Sequence, residues 1–427
     1  MGIGGAGMSA LARYFAFRGV EVSGSDENPS EILSELAAEK MNIFVGHDAK
    51  NVPPDIFELV FSAAIPPENP ERKFAAEKNI PQKSYFAALG DLSRTKKTIA
   101  ICGTHGKSTT TAMAGLALET VADPLVILGA RVFEWKNQNI RLPVADFSRK
   151  GDADFLVVES CEFQNSFLNL SPDILVLTNC EPDHLDFFKT PENYFAAFQK
   201  FAEKLPKNGI LIADFSDPTI SKLFSKIAVK KIDASKFLEK VDFLNLPGAH
   251  NRQNAARVAA LFDALGFDFS AAKSALKNFR GIARRFEKKG EKNGILVFDD
   301  YAHHPTEIRA SLAAFAEKFP KKRRVVVFQP HQFSRTRDFF AEFSKSFSAA
   351  DRVFIPNIFA ARDAEIDENL AEKLAEKIGK KATHSENFEK TLALLRAELR
   401  AGDALITMGA GDVFRIGERF LSDEKEF

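Results

Sequence analysis

The run Gly103-Thr104-His105-Gly106-Lys107-Ser108-Thr109-Thr110 lies between an apolar strand, Thr98–Cys102, and a segment of helical pattern. Two glycines and a Lys-Ser pair there predict a tight strand-loop-helix unit. Its backbone N–H groups, added to the positive end of the helix, form a cradle for phosphate. Lys107 supplies a mobile cation for β- and γ-phosphates, and the Ser108 hydroxyl suits a Mg²⁺ ion. The spacing departs from the usual phosphate-loop pattern, because Ile101 stands where its first glycine would be. Binding of ATP or GTP follows as an expectation.

The alternation of short apolar runs with longer helical segments extends along the whole chain and implies α/β layers with mostly parallel sheets. The first part reads as a helix at Met8–Arg18, a strand at Val20–Ser23, a helix at Ser30–Met41 and a strand at Leu59–Ser62. The middle part carries strands at Phe155–Val158, Ile174–Leu177 and Ile210–Ala213, then a helix from about Asn251 and another at Ala271–Phe279. The last part has strands at Ile295–Phe298, Val325–Phe328, Arg352–Ile355 and Ala404–Thr407. Charged stretches at 93–97 and 287–294 read as linkers. With 427 residues and about 150 per domain, three domains are expected: 1–95, 96–292 and 293–427.

Composition narrows the function. Lys plus Arg and Asp plus Glu both number 58, which disfavours a nucleic-acid partner, since phosphate neutralisation needs a basic surplus. No apolar run approaches the ~18 residues of a membrane span, and the start does not read as a signal peptide. Three cysteines, Cys102, Cys161 and Cys180, are too few for a disulfide scaffold in a chain this long. A reduced, cytoplasmic protein is expected. Its 41 phenylalanines, against 4 tyrosines and 1 tryptophan, form no stripe and read as core packing or compositional drift.

Further chemistry sits at strand ends, where ligands bind in open α/β sheets. Glu159 closes Phe155–Val158, and His184 lies in Thr178-Asn179-Cys180-Glu181-Pro182-Asp183-His184. With Ser108 they form a candidate Mg²⁺ set. The runs Asp299–Glu307, Gln329–Arg337 and Met408–Asp412 each follow a strand as well. Gly2-Ile3-Gly4-Gly5-Ala6-Gly7 fits Gly-x-Gly-x-x-Gly, with Asp26 after the second strand. That loop suits NAD or any diphosphate, including a nucleotide sugar.

Taken together, the segments GIGGAGMS, SAAIPPENPE, GTHGKSTT, TNCEPDHLD, LPGAHNRQNAARVAA, FRGIARRFE, DDYAHHPTEI, FQPHQFSRTRD and TMGAGD resemble the Mur ligase family of peptidoglycan synthesis. The resemblance implies a Rossmann-like N-terminal domain for a UDP-sugar, a central P-loop-type ATPase domain and a Rossmann-like C-terminal domain for an amino acid. It implies ATP-dependent joining of L-alanine to the lactyl carboxylate of UDP-N-acetylmuramate through an acyl phosphate, with Mg²⁺ or Mn²⁺. A monomer or weak homodimer with no membrane partner goes with it.

Carried over by position, Lys107, Glu159, His184, Arg285 and His303 resemble catalytic residues. Gly103, Thr104, His105, Gly106, Lys107, Ser108, Thr109, Asn251, Asn254, Arg285 and Asp300 resemble the ATP site. Gly4, Gly5, Ala6, Gly7, Met8, Ser9, Asp26 and Ser62 resemble the UDP-sugar site, and Tyr301, His303 and Arg335 the amino-acid site. Against the family pattern, the strand before GIGGAGMS is largely missing, Cys161 replaces a frequent Asp, and Ser108 replaces Thr. Gln332 stands where an Arg is expected, so a cation for the amino acid's carboxylate is expected to be lost. The competing readings are a ligase adding a peptide to the same sugar, an NAD-dependent oxidoreductase and a non-catalytic nucleotide-sugar sensor.

Overall fold

A computed structural model describes residues 1–144, 155–361, 363 and 366–422. The chain forms two compact units. The first comprises Met1–Asp183, Pro191–Phe243 and Gln253–Phe279, and the second His184–Thr190, Leu244–Arg252 and Arg280–Phe427.

In the first unit, β1 (Ser23–Asp26) pairs in parallel with β2 (Asn42–Val45), and β3 (Leu59–Phe61) with β4 (Gln82–Ser84), as two separate two-stranded sheets. The main sheet is built from β5 (Lys97–Cys102), β6 (Leu125–Val132), β7 (Gln138–Arg141), β8 (Phe155–Glu159), β9 (Ile174–Leu177), β10 (Ile210–Ala213) and β11 (Lys230–Asp233). Their order is β11-β10-β9-β5-β8-β6-β7, parallel except for the β6–β7 pair. Ile99, Ala100 and Ile101 of β5 and Leu156, Val157 and Val158 of β8 are all fully buried. Such continuous apolar runs are what a sheet covered on both faces requires. Residue pairing Ile101↔Glu159 and Cys102↔Leu177 brings the carboxyl ends of β8, β5 and β9 side by side. The helix Lys107–Leu118 follows β5 and is buried along nearly its whole length, its Gly115 admitting Trp135 and Val126 where a Cβ would stand 2.8–2.9 Å from them.

The second unit holds one six-stranded sheet of β12 (Glu287–Lys292), β13 (Ile295–Asp300), β14 (Arg324–Phe328), β15 (Arg352–Pro356), β16 (Ala382–Glu386) and β17 (Ala404–Met408). Its order is β12-β13-β17-β14-β15-β16, with only β12 antiparallel to its neighbour. Phe298, Phe315, Phe328, Phe343 and Phe347 fill one side of this sheet in a single cluster, so packing absorbs part of the phenylalanine surplus.

Several elements differ from the sequence expectation. The charged stretch at 287–294 is not a linker: it is the edge strand β12 and the turn into β13, so the second unit begins ahead of residue 293. Lysines suit an edge strand, because charge there blocks pairing with other chains. The strand expected at Val20–Ser23 starts only at Ser23, and β2, β4, the β6–β7 hairpin, β11 and β16 add strands that the pattern did not reveal.

Candidate active site

The phosphate loop is held by its neighbours as well as by itself. Asn179, just past β9, accepts from the Thr104 and His105 amides at 3.1 and 2.9 Å and donates to the His105 carbonyl at 3.0 Å. The Thr178 hydroxyl also donates to that carbonyl, at 2.6 Å, and the Thr104 hydroxyl donates to the Glu181 carbonyl at 2.7 Å. Gly103 (φ +135°) and Gly106 (φ +79°) adopt conformations that side chains resist. A Cβ on Gly103 would stand 2.0 Å from Thr178 Oγ1, and one on Gly106 2.8 Å from Asn254 Oδ1. Thus Asn254, expected at the nucleotide, does abut the loop.

Lys107 Nζ folds back to donate to the Gly103 and Thr104 carbonyls at 2.6 and 3.0 Å and to Glu162 at 2.9 Å. Burial works against the lysine's charge, but Glu162 and its neighbours outweigh burial and raise its pKa. The Ser108 hydroxyl donates to Glu159 Oε1 at 2.8 Å, and Glu159 Oε2 accepts from the Gly129 amide at 2.7 Å. Neighbouring oxygens on an octahedral Mg²⁺ at 2.0–2.1 Å lie about 2.9 Å apart. Ser108 and Glu159 therefore fit two positions of such an ion. His184 belongs to the second unit, so the first unit by itself gathers two of the three expected ligands.

Three contributors went unrecognised in the sequence. Glu162 has a side chain only 1% exposed, and the i, i+3 spacing from Glu159 was its only signal. Asn179, within Thr178–His184, carries no signal of its own in the sequence. Arg257 is buried and donates to the Leu177 carbonyl at 3.0 Å, with burial lowering its pKa to about 10. An arginine amid Ala255-Ala256 and Val258-Ala259 was the visible anomaly.

The N-terminal glycine loop leads into the helix Ala6–Phe17, whose N-cap, Gly5, brings no side-chain cap. Asp26 accepts from the Gly4 amide at 2.9 Å, and Gly7 lies against the Tyr85 ring, where a Cβ would stand 2.5 Å away. Met8 and Ser9, expected at the sugar, are instead buried, and the Ser9 hydroxyl donates to the Ala6 carbonyl at 2.9 Å. They belong to a continuous buried stretch of this helix, Met8 to Tyr14.

In the second unit, a cluster follows β13 and β14. Tyr301 and His303 ring centres are 5.3 Å apart, those of His303 and His331 6.0 Å, and Arg335 lies 3.3 Å from His331 Nδ1. Glu307 receives both the Arg285 guanidinium at 3.1 Å and the His303 amide at 3.1 Å. Glu307, in the first turn of the helix Pro305–Lys318, thus links two expected site residues. Burial opposes the charge of Arg285, but Glu307 and Asp300 raise its pKa. Asp300 is buried and accepts from the Ser311 hydroxyl at 2.6 Å and the Ala302 amide at 2.9 Å. Asn251 also turns inward, donating to the Pro247 carbonyl at 2.8 Å.

Gln332 likewise departs from expectation. It is 2% exposed, with φ +72°, and its amide nitrogen lies 3.4 Å from Asp363 Oδ1. It is the N-cap residue of the helix Phe333–Asp338, with no side-chain cap bond, and its side chain turns to Asp363.

A parallel sheet with a phosphate loop at its centre, followed by a second α/β unit with a basic strand-end cluster, defines a nucleotide-dependent α/β enzyme. The chain matches "Mur ligase family, catalytic domain" over residues 1–97, "Mur ligase middle domain" over 101–241 and "Mur ligase, glutamate ligase domain" over 284–411. It is 38% identical to the UDP-N-acetylmuramate–L-alanine ligase of Clostridium acetobutylicum, across 99% of this chain and 96% of that one. Among solved structures it is similar to the UDP-N-acetylmuramate–alanine ligase of Thermotoga maritima (27% identity, TM-score 0.80, 99% and 97% covered). It also shares its fold with a murein peptide ligase of Psychrobacter arcticus (23% identity, TM-score 0.72, 99% and 97% covered). The chain belongs to the Mur ligase family.

Proposed function

We propose that this protein is an ATP-dependent ligase that joins L-alanine to the lactyl carboxylate of UDP-N-acetylmuramate, the first amino-acid addition to the peptidoglycan precursor. The observation that carries this reading is the full-length similarity to L-alanine ligases, combined with a phosphate loop built on the ends of β5, β8 and β9. The lactyl carboxylate must attack the polyanionic γ-phosphate, breaking its bond to the β-phosphate so that ADP leaves and an acyl phosphate forms, so positive charge and fixed donors carry the first step. Lys107, once released from Glu162, holds the β- and γ-phosphates, and the amides of the Gly103–Ser108 loop and helix start line the rest. Ser108 and Glu159 would hold Mg²⁺, which neutralises phosphate charge when bound, and His184 is proposed as a further ligand. The alanine amine then displaces phosphate to form the amide.

Tyr301, His303 and Arg335 receive the amino acid, with Arg285 adding positive charge at the reacting phosphate. The loop at Gly4–Gly7, with Asp26 and Ser62, binds the UDP-sugar diphosphate and ribose. The domain boundaries fall near residue 95 and, counting the β12–β13 hairpin with the last domain, near residue 280. No helix among the described residues is long and apolar enough to cross a membrane; action in the cytoplasm as a monomer or weak homodimer is part of the proposal.

The test is mass spectrometry of the product from UDP-N-acetylmuramate, ATP, Mg²⁺, an equimolar amino-acid mixture and a cell-wall tripeptide. A single L-alanyl product is expected. A tripeptide product would transfer the assignment to peptide ligation. No ATP-dependent product from folded protein would favour a sensor.

A further inference from the structure

Four of the six residues in the glycine loop Gly2–Gly7 are glycine, so ordering it costs more entropy than ordering other chain. The helix that follows, Ala6–Phe17, offers little help, because its N-cap Gly5 makes no side-chain bond. The anchor comes instead from β7, an edge strand of the main sheet. Asn139 of β7 is 4% exposed, and its Nδ2 donates to the Ala6 carbonyl and, at 3.4 Å, to Ser9 Oγ. Its Oδ1 accepts from Arg13 Nη1, on the same helix, at 3.3 Å. Arg13 in turn donates to both Glu39 oxygens at 3.0 Å and to Glu35 Oε2 at 2.9 Å. The other Glu35 oxygen accepts from Arg131 of β6 at 2.7 Å, so both strands of the β6–β7 hairpin grip the helix pair.

We propose that Asn139 is a positioning residue for the nucleotide sugar, acting through the Ala6 carbonyl. It fixes the first turn of the helix, so that the amides at the helix start meet the diphosphate in one arrangement. The assignment rests on the reading of Gly4–Gly7 as the UDP-sugar loop.

Two observations carry it. A buried amide is costly unless it is bonded, and both ends of the Asn139 amide are bonded to this one helix, the donor end to its first turn. The hairpin also braces the other loop. The β6–β7 register slips between Ile127 and Val132, and Gly129, inside the slip, gives its amide to Glu159 at 2.7 Å. Strand irregularities re-aim groups in this way beside active sites. One hairpin therefore holds both the sugar loop and a proposed Mg²⁺ ligand, which sets the gap that the lactyl carboxylate must bridge to reach the γ-phosphate.

The experiment compares Asn139→Ala and Asn139→Asp with the wild-type protein. Aspartate keeps an acceptor for Arg13, and so guards the fold, but it has no donor for the Ala6 carbonyl. Both variants should raise the KM for UDP-N-acetylmuramate about five- to tenfold, the loss of roughly one hydrogen bond, while the KM for ATP stays within about twofold. Amide exchange at residues 6–9 should quicken in both, with no substrate present. An Asp variant with wild-type KM and wild-type exchange would overturn the proposal, since Asn139 would then serve Arg13 alone. Equal rises in both KM values would also overturn it, as the mark of general loosening. Should the wild-type protein itself show no turnover dependent on UDP-N-acetylmuramate, the substrate reading falls; unchanged exchange at 6–9 would then overturn the positioning role, and quickened exchange would uphold it.

Discussion

The phosphate loop of the first unit and the strand-end cluster of the second solve recognition in opposite ways. The loop presents main chain: its glycine conformations and the Asn179 bonds to Thr104 and His105 set the donors before any ligand arrives. The second cluster presents side chains, Tyr301, His303, His331 and Arg335, braced by Glu307 and by one another. Phosphate binding needs many fixed donors, so a rigid backbone frame suits it. Choosing one small amino acid needs a few groups of the right shape and charge, which side chains supply.

The sharpest way to break this contrast is Lys107→Ala. Lys107 is the cation proposed to hold the β- and γ-phosphates against the backbone frame, and turnover should fall by roughly 10³-fold or more. Its removal also breaks the buried ion pair with Glu162, which destabilises by about 3–5 kcal/mol. The double variant Lys107→Ala/Glu162→Gln should regain stability in urea denaturation and remain inactive in phosphate-release assays. Recovery of turnover along with stability would mean that the lysine serves the fold alone.

Acid should act on the second unit next. Burial, then Arg285, lowers the His250 pKa to about 4. The imidazole is therefore neutral in the folded state where the unfolded chain, with an ordinary pKa near 6.5, has bound a proton. Between pH 6.5 and 4 the unfolded state binds more protons, so stability falls as pH falls, by up to about 1.4 kcal/mol per pH unit. Denaturation curves across that window should show the slope, and His250→Gln should flatten it. A variant with an unchanged slope would place the acid sensitivity in other groups.

Substrate selectivity is a smaller effect. Arg335→Lys keeps a charge but loses the bidentate fork, which lowers affinity for a carboxylate by about 1.5–3 kcal/mol. The KM for L-alanine should rise by one to two orders of magnitude, while the KM for ATP stays level. An equal rise in both would undo the division of labour between the regions.

The sequence made one of these regions far more legible than the other. Gly103–Ser108 is contiguous and stands between an apolar strand and a helix, so loop, strand and helix could be read together. Glu159 could be read too, as the residue closing a buried run. What stayed hidden is set by tertiary pairing. Whether Asp300 faces a ligand or Ser311 depends on a helix one turn further on, and nothing in its own neighbourhood decides between them. Edge strands such as β12 escaped because their charged composition is shared with linkers. The strand expected at Val20–Ser23 was placed a few residues early: its ladder with Asn42–Val45 runs from Ser23 to Asp26.

Gln332 provides the finest test, because sequence and structure disagree about it. Position in the motif suggested that Gln332→Arg would restore a cation for the alanine carboxylate and lower its KM. The side chain, however, is buried against Asp363, which also accepts from the Ser334 amide at 2.8 Å and its hydroxyl at 3.0 Å. An arginine at 332 would meet Asp363 first. That pair would neutralise the new charge, and the extra volume in a packed site would work against stability by about 1–3 kcal/mol. The expected outcome is an alanine KM unchanged within about twofold, with the change appearing in Tm instead. Steady-state kinetics and a melting curve on the one variant decide the matter: a tenfold drop in alanine KM would show that residue 332 reaches the substrate, and that the second cluster extends past Arg335.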